Sequence, residues 1–230
     1  MNSLIIIIKK IDCLKNKLDE LRLSDIEIIK NKNSAIFEDI VNSSIREKYN
    51  SNEDQDIMKI AHREALDYID ELSDKNICEL NKEHILNIHY LLFKDICPNY
   101  AGKFRDHGDS YISSLDEKFY FCSSALVPDK MDEYFNWLFL ENDNHPLIFA
   151  AEAHNKLVSI HPFVEGNGRT GRLILNLILM QNGYTPIVIK AFKKEIYNTA
   201  IKAWKEGNKS DFYHLIAKHE IESLEKYFEK

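Results

Sequence analysis

The 230-residue chain contains few of the residues that build cross-linked folds or folds with many turns. It has only seven glycines and five prolines, whereas a chain of short strands joined by tight turns needs more of both. Its four cysteines are far apart and none belongs to a CxxC pair, which excludes zinc-ligand spacing and a disulfide framework. These absences favour a helical protein with free thiols, as expected in a reducing compartment.

Long hydrophobic runs and an excess of positive charge are also absent. The apolar run Leu4 to Ile8 is too short for the core of a signal peptide and far too short for a membrane span. Acidic residues outnumber basic ones by 37 to 30, giving a net charge of −7, whereas binding to nucleic acid needs a basic face. We therefore expect a cytoplasmic protein that binds neither membranes nor nucleic acid.

Helical periodicity runs through most of the chain, and 44% hydrophobic residues are enough for a substantial core. Residues 99–128 depart from this pattern, because two glycines and alternating apolar residues there indicate a small β-hairpin. The sequence predicts an all-α fold with one hairpin. The segments with helical spacing of apolar residues are about 4–30, 36–45, 57–72, 83–93, 129–138, 146–160, 173–181, 193–205 and 209–227.

One stretch, HPFVEGNGRTGR from His161 to Arg172, concentrates the residues that carry chemistry. Three of the seven glycines and two of the six arginines lie in it. Its glycines allow successive backbone N–H groups to point to one side, and such groups at a helix N-terminus bind anions. Because the stretch joins two predicted helices, it predicts a phosphate-binding loop. It fits neither the GxxxxGK[ST] pattern nor the GxGxxG pattern.

The charged side chains of the stretch fit the same chemistry. Arg169 and Arg172 are three residues apart, a spacing at which both can reach phosphate oxygens. Glu165 offers a hard oxygen ligand for Mg²⁺. His161 has an ordinary pKa near neutrality and can accept a proton from an attacking hydroxyl. Together these residue types predict a nucleotide-transfer site.

Residues 161–172 resemble the motif HPFx[D/E]GNGRxxR of the Fic (Fido) family and match it at every fixed position. Weaker similarity extends over about residues 83–218. The resemblance implies an all-α Fic core over 83–218 with a β-hairpin flap, preceded by a helical region over 1–80 and followed by a helix end over 219–230. It also implies transfer of AMP from ATP, with Mg²⁺, to a Ser, Thr or Tyr hydroxyl of a target protein.

The resemblance assigns a role to each residue of the motif. His161 would deprotonate the target hydroxyl, and Glu165 would hold Mg²⁺. Arg169 and Arg172 would bind the outer phosphates of ATP. The other residues that the resemblance places at the nucleotide are Gly166, Asn167 and Gly168 as the anion hole, with Thr170 and Gly171 beside them.

Residues outside the motif also acquire expected roles from the resemblance. Tyr197 matches a family tyrosine near the adenine, and Lys205 stands where a nearby family residue is Asn. The flap, expected around Phe119, Tyr120 and Phe121, would align the target by strand addition.

A second motif of the family precedes the core. Ser43 and Glu47 match the [S/T]xxxE[G/N] pattern of an inhibitory helix, expected at about 36–48, although Lys48 occupies the last position. The resemblance implies that Glu47 pairs with Arg172 and disturbs the ATP pose, as in the N-terminally inhibited class.

Several alternatives to AMP transfer stay open at this stage. The same site could instead remove AMP from a modified protein, or transfer UMP or phosphocholine. Phosphate transfer, as in Doc-like relatives, is disfavoured because those relatives carry Lys where Gly168 stands. An interaction module with an inactive site is disfavoured by the intact motif. The target protein is unknown, self-modification is expected, and a homodimer is an open option.

Overall fold

The computed structural model describes residues 2–44, 52–107, 109–113, 118–140, 143–189 and 194–229. Within these ranges nine α-helices and one two-stranded antiparallel sheet form, so the predicted all-α fold with one small hairpin is confirmed. The helices are α1 (Asn2–Ser24), α2 (Ile26–Ser44), α3 (Asn52–Ser73), α4 (Lys82–Phe93), α5 (Val127–Leu138), α6 (Pro146–Ile160), α7 (Asn167–Gln181), α8 (Lys194–Lys205) and α9 (Ser210–Lys226); the strands are β1 (Asp109–Ser113) and β2 (Lys118–Ser123).

Helix α7 lies at the centre of the fold. It packs against α3, α4 and α6, and its apolar residues from Leu173 to Leu179 are buried. A helix that is apolar on every side is stable only when neighbours cover it on every side. The one polar residue in this run, Asn176, is also buried, and its side chain bonds both backbone groups of Ile187. That contact fixes the segment that follows α7.

The boundary between the first two helices differs from the sequence prediction. The predicted segments 4–30 and 36–45 left a break at the polar residues 31–34, but α1 ends at Ser24 and α2 begins at Ile26. The Asp25 side chain accepts a hydrogen bond from the Ile28 amide, which starts α2 there. The polar residues further on stay helical because Lys32 and Asn33 bond to the C-terminal end of the chain.

The N-terminal helices share the core with the rest of the chain. Helix α1 packs along α9, and α2 packs along α3. Buried residues of α1 and α2, such as Ile11 and Ile36, belong to the same apolar cluster as those of α7. This packing brings the end of α2 to the N-terminal end of α7. In the part of the chain that the structure describes, no helix combines the length and apolarity needed to cross a membrane.

The hairpin packs against α6 next to the His161 stretch. Tyr111 of β1 pairs with Tyr120 of β2, and Ile112 pairs with Phe119, with an irregularity nearer the start of β1. Strand β2 contacts α6, the helix that ends immediately before the His161 stretch.

Candidate active site

The predicted phosphate-binding loop runs from His161 to Gly166, between α6 and α7. His161 follows the end of α6 with φ 55° and ψ 57°, in the left-handed region, and its amide donates to the Leu157 carbonyl at 2.9 Å. A left-handed residue at this place ends a helix and turns the chain sharply. A histidine there carries some backbone strain, which the surrounding contacts must hold.

The side chain of Asn167 fixes the shape of the loop. The Phe163 amide donates to Asn167 Oδ1 at 2.9 Å, and Asn167 Nδ2 donates to the Phe163 carbonyl at 2.8 Å. Both residues are buried, so water does not compete with these two bonds. Asn167 therefore contributes its amide side chain to the loop, which leaves its backbone N–H as its candidate group for the predicted anion site.

His89 of α4 supports the loop through contacts with Phe163 and Glu165. Its ring stacks on Phe163, with centroids 3.8 Å apart, and its Nδ1 accepts a bond from the Gly102 amide. Its Nε2 therefore carries the proton and donates to the Glu165 carbonyl at 3.0 Å. Burial lowers the pKa of His89 to about 4, so the ring stays neutral. The sequence marks His89 only as a position on the apolar face of a helix.

Arg105 ties the loop to the hairpin. Its Nε donates to the His161 carbonyl at 2.8 Å, and its Nη2 donates to the Cys122 carbonyl in β2. Its backbone amide donates to the Pro162 carbonyl at 2.9 Å. The buried guanidinium thus holds the strained backbone of His161 and the flap together. Sequence reasoning missed this role, although Arg105 lies in the range of weaker similarity to the family and is one of just six arginines.

The imidazole of His161 is held neutral. Burial lowers its pKa to about 4, and the positive charges of Arg105 and Lys205 act in the same direction. The Val158 carbonyl and the Glu165 carboxylate oppose this shift without reversing it. Near pH 7 the ring therefore has an unprotonated nitrogen, as a proton acceptor requires.

The flap reaches the same histidine. Phe121 of β2 is buried, and its ring stacks on the imidazole of His161, with centroids 4.0 Å apart and planes 17° from parallel. Phe119 and Tyr120 precede it on the strand and take part in the backbone pairing with β1. The structure thus brings the predicted flap to the predicted base.

The N-terminus of α7 provides the predicted anion site. The N–H groups of its first residues, Asn167 to Arg169, have no acceptor within the helix. A Cβ on Gly168 would lie 3.5 Å from Arg172 Nη1 and 3.8 Å from the Tyr197 hydroxyl, both ordinary contact distances. Gly168 therefore lies opposite a cation and a hydroxyl, a setting suited to a phosphate group.

The two arginines of the motif occupy different surroundings. Arg169 is buried beneath the loop, where its guanidinium lies 4.5 Å from the centroid of the Phe93 ring and its Nη2 is 3.4 Å from Glu165 Oε1. Arg172 is half-buried and lies beside Gly168. Both arginines line one small cavity, although Arg169 is buried against Phe93. Contact of either arginine with phosphate stays a prediction.

Thr170 and Gly171 lie on the packed side of α7. Thr170 is fully buried, and its amide donates to the Gly166 carbonyl. A Cβ on Gly171 would be 3.0 Å from His154 and 3.2 Å from Val158, so this glycine allows α6 and α7 to pack closely. Only the backbone groups of these two residues remain as candidates for nucleotide contact.

Tyr197 lies beside the glycine-rich loop, and its place near the adenine stays a prediction. Its hydroxyl is 2.7 Å from His154 Nε2. Burial, with a smaller effect from the charge of Arg172, lowers the pKa of His154 to about 3. The neutral, buried His154 therefore fixes the position of the Tyr197 hydroxyl across from Gly168.

The end of α2 also reaches this region. Ser43 lies in the last turn of α2, where its hydroxyl donates to the Ile40 carbonyl at 2.9 Å. Glu47 and Lys48 fall outside the described residues. The structure therefore brings Ser43 close to Arg172. The predicted pairing of Glu47 with Arg172 stays a prediction. A small cavity joins Ser43 to Arg172, lined by Ile40, Ser43, His62, Arg169, Arg172, Leu173, Asn176, Ile187 and Ile189.

The donor set at Glu165 suits Mg²⁺ only together with a nucleotide. No group of three or more His, Cys, Asp or Glu side chains is arranged for a metal ion within the described ranges. The side chain of Glu165 is 35% exposed at the loop and contacts Arg169. Mg²⁺ commonly takes one or two protein carboxylates and completes its shell with phosphates and water. A single accessible carboxylate beside an anion site fits that mode.

These features define a class of protein: a helical core with a glycine-rich anion loop, a neutral histidine and a hairpin against it. Residues 79–179 match the Fic/DOC family. This part of the chain is a Fic/DOC family domain, as the motif indicated.

Curated relatives carry the name protein adenylyltransferase. The chain is 41% identical over 151 residues to protein adenylyltransferase Fic of Drosophila grimshawi, covering 65% of this chain and 30% of the relative. It is 32% identical over 178 residues to protein adenylyltransferase fic-1 of Caenorhabditis elegans, covering 72% and 34%. The chain thus spans about a third of the length of these relatives.

Solved structures share the fold. A variant of Fic-1 from C. elegans superposes with a TM-score of 0.80 at 23% identity, covering 96% of this chain and 71% of the other. A Fic domain containing signaling protein from Bacteroides thetaiotaomicron superposes with a TM-score of 0.82 at 21% identity, covering 94% of each chain. A Fic domain from Bartonella quintana with bound ADP superposes with a TM-score of 0.55 at 21% identity, covering 72% of this chain and 83% of the other.

The close contact at Gly166 generates a test of loop packing. Gly166 has φ 85°, and a Cβ there would lie 2.1 Å from Cε2 of Phe93. Gly207 has a similar φ of 93°, but no described atom lies within 4 Å of its Cβ position. Gly207→Ala should lower the free energy of unfolding by about 1–2 kcal/mol, the cost of the left-handed backbone. Gly166→Ala should lower the free energy of unfolding by about 1–3 kcal/mol more, because its Cβ would overpack against Phe93.

Urea unfolding followed by circular dichroism measures both losses. Because Gly207→Ala carries the same backbone cost without the clash, it is the matched control. Equal losses for the two variants would mean that Phe93 does not pack tightly under the loop.

Proposed function

We propose that this chain is a protein adenylyltransferase that transfers AMP from ATP to a hydroxyl side chain of a protein. The observation that carries the proposal is a neutral, half-buried His161 at one end of a short loop, with the N-terminus of α7 at the other. The relatives named protein adenylyltransferase support the reaction, and the relative with bound ADP supports the class of ligand.

The residues present suit each part of this reaction. The imidazole of His161 accepts the proton of the target hydroxyl, whose oxygen forms a bond to the α-phosphorus of ATP. The bond from that phosphorus to the bridging oxygen breaks, and pyrophosphate leaves. The backbone N–H groups at the start of α7 stabilise the negative charge that develops on the phosphate oxygens.

The charged side chains divide the remaining tasks. Arg172, beside Gly168, neutralises the leaving phosphates, and the buried Arg169 orients the Glu165 carboxylate at 3.4 Å. Glu165 would hold Mg²⁺, which supplies charge neutralisation of the polyphosphate when bound. Tyr197, fixed by His154, lines the side of the pocket next to Gly168.

The hairpin suits the role of a target-docking flap. A two-stranded antiparallel sheet has edges with unpaired backbone groups, and an extended segment of the target can add to one of them. Because Phe121 of β2 lies on His161, a segment paired along the hairpin would run close to the base. Segments of the chain itself are included among the targets, and the free cysteines support a reducing compartment.

The first experiment compares His161→Ala with the parent protein. Loss of the base should reduce transfer by about 10²–10⁴-fold while the affinity for ATP stays within about twofold, because a base acts on the nucleophile and not on the bound nucleotide. Intact mass after incubation with ATP and Mg²⁺ measures the transfer, and calorimetry measures the affinity. An added mass of AMP, not of phosphate, is the expected product in the parent.

His214→Ala is the control, since it removes a half-buried histidine of α9 that lies outside the loop. A folded His161→Ala protein that modified itself at the parental rate would exclude His161 as the base. An added phosphate mass would favour the kinase alternative.

We also propose that Glu47 restrains this activity. The support is the position of Ser43, which shares a cavity with Arg172 although it precedes the motif by more than a hundred residues. A carboxylate that reached this cavity would compete with phosphate for Arg172. Removal of AMP from a modified target is a second candidate activity, because a carboxylate there could also orient a water molecule.

Removing the restraint should increase self-modification. If the ATP-competent state is populated to about 1%, Glu47→Gly should activate by up to ~100-fold, since apparent affinity scales with the competent fraction. Glu47→Gln, which loses the charge and keeps the size, should activate partly, and Ser43→Ala more weakly. The rate of mass gain at saturating Mg²⁺, with ATP well below the KM of the parent, is the measurement.

The exposed Glu38 of α2 offers the matched control, because Glu38→Gln makes the same change away from the cavity. If no variant at Ser43 or Glu47 exceeds the parent, the inhibitory role is wrong. If Glu47→Gly gains transfer but loses the removal of AMP from a modified target, removal is the main activity of the parent.

A further inference from the structure

Three side chains from distant parts of the chain form a column at the candidate base. The Nζ of Lys205, the last residue of α8, lies 4.0 Å from the ring centroid of Phe121. The same ring stacks on the imidazole of His161, also at 4.0 Å. Since the imidazole covers one face of the phenyl ring, the ammonium can come this close only over the other face. The column therefore runs from α8 through β2 to the loop.

The imidazole has few other restraints on its orientation. Its Nδ1 is buried and has no hydrogen-bond partner among the described residues. The Val158 carbonyl affects its pKa but lies outside hydrogen-bond geometry. Arg105 holds the backbone of His161 and not its ring. Among the described residues, the stack on the Phe121 ring is therefore the contact that covers a face of the imidazole.

Lys205 in turn fixes Phe121. The face of an aromatic ring carries negative charge density and attracts a cation placed over it. Phe121 lies on a short two-stranded hairpin, which has little stability of its own. A cation anchored on a helix can therefore hold that ring, and the strand that carries it, against the loop.

We propose that Lys205 is a positioning residue for His161. Through the ring of Phe121 it holds the imidazole in one orientation and keeps β2 beside the loop, so that the nucleotide-side helix α8 and the flap are coupled at the base. The role of His161 as the base rests on the proposed function, whereas the column itself does not.

The test uses two substitutions of Lys205 with opposite expectations. Lys205→Met keeps the apolar stem and removes the charge, and Lys205→Arg keeps a cation that also stacks on aromatic rings. Lys156→Met is the matched control, because the Lys156 ammonium lies 4.6 Å from the ring centroid of Trp137 in a pair separate from this column. Each protein is assayed for the kcat and KM of AMP transfer, and for the NMR signals of the His161 ring protons.

In Lys205→Met, kcat should fall about ten- to a hundredfold, because a misplaced catalytic group costs rate without costing binding. The KM for ATP should stay within twofold. The His161 ring signals, shifted upfield by the stacked phenyl ring, should move downfield. Lys205→Arg should keep most of the parental kcat and the parental signals, and Lys156→Met should match the parent in all three measurements.

The outcomes separate this inference from the proposed function. A parent protein that transfers no AMP would contradict the proposed function, and the ring signals alone would then decide the inference. Unmoved ring signals in Lys205→Met would overturn it, whatever happens to kcat. A raised KM with unchanged kcat would instead make Lys205 a nucleotide-binding residue, and faster transfer would mean that the column obstructs the base; both results would also overturn the inference.

Discussion

The geometry of the candidate site depends on two buried hydrogen bonds between the side chain of Asn167 and the backbone of Phe163. They close the loop on itself at 2.9 and 2.8 Å, and breaking them would leave buried polar groups unpaired, which is costly. Because they join the start of α7 to the middle of the loop, they fix the distance between the base at one end and the anion site at the other. His89 then supports Phe163 from below.

Positive charge is concentrated around the loop of this acidic protein, as the polyphosphate ligand of the proposed function would require. The chain carries a net charge of −7, yet four cations are gathered around the loop: Arg105, Arg169, Arg172 and Lys205. Burial keeps the three histidines of this region, His89, His154 and His161, neutral. They therefore add no further charge and can still accept hydrogen bonds. Three of these cations hold structure: Arg105 bonds the backbone of the base, Arg169 lies on the ring of Phe93 and Lys205 lies over the ring of Phe121. The fourth, Arg172, lies beside Gly168.

The sequence predicted the helices, the hairpin and the motif because each rests on local signals. Periodicity placed α6 within its observed bounds, and the glycine spacing located the loop. It missed His89 and Arg105, whose roles arise from contacts with residues 56 to 76 positions away. It grouped Arg169 with Arg172 by spacing, and both line one small cavity, but the packing of Arg169 on Phe93 depends on a residue far away in the chain. Its break at 31–34 was wrong because tertiary contacts of Lys32 and Asn33 satisfy that polar stretch within a helix.

The central claim is that the loop is rigid before any nucleotide binds. Amide hydrogen exchange of the nucleotide-free protein, read by NMR residue by residue, tests it most directly. The amides of Phe163 and Thr170, which donate to Asn167 Oδ1 and the Gly166 carbonyl, should exchange as slowly as the core amides of α7. Exchange at the rate of exposed loop amides, slowing only when ATP is added, would contradict the account, because the site would then be assembled by its ligand.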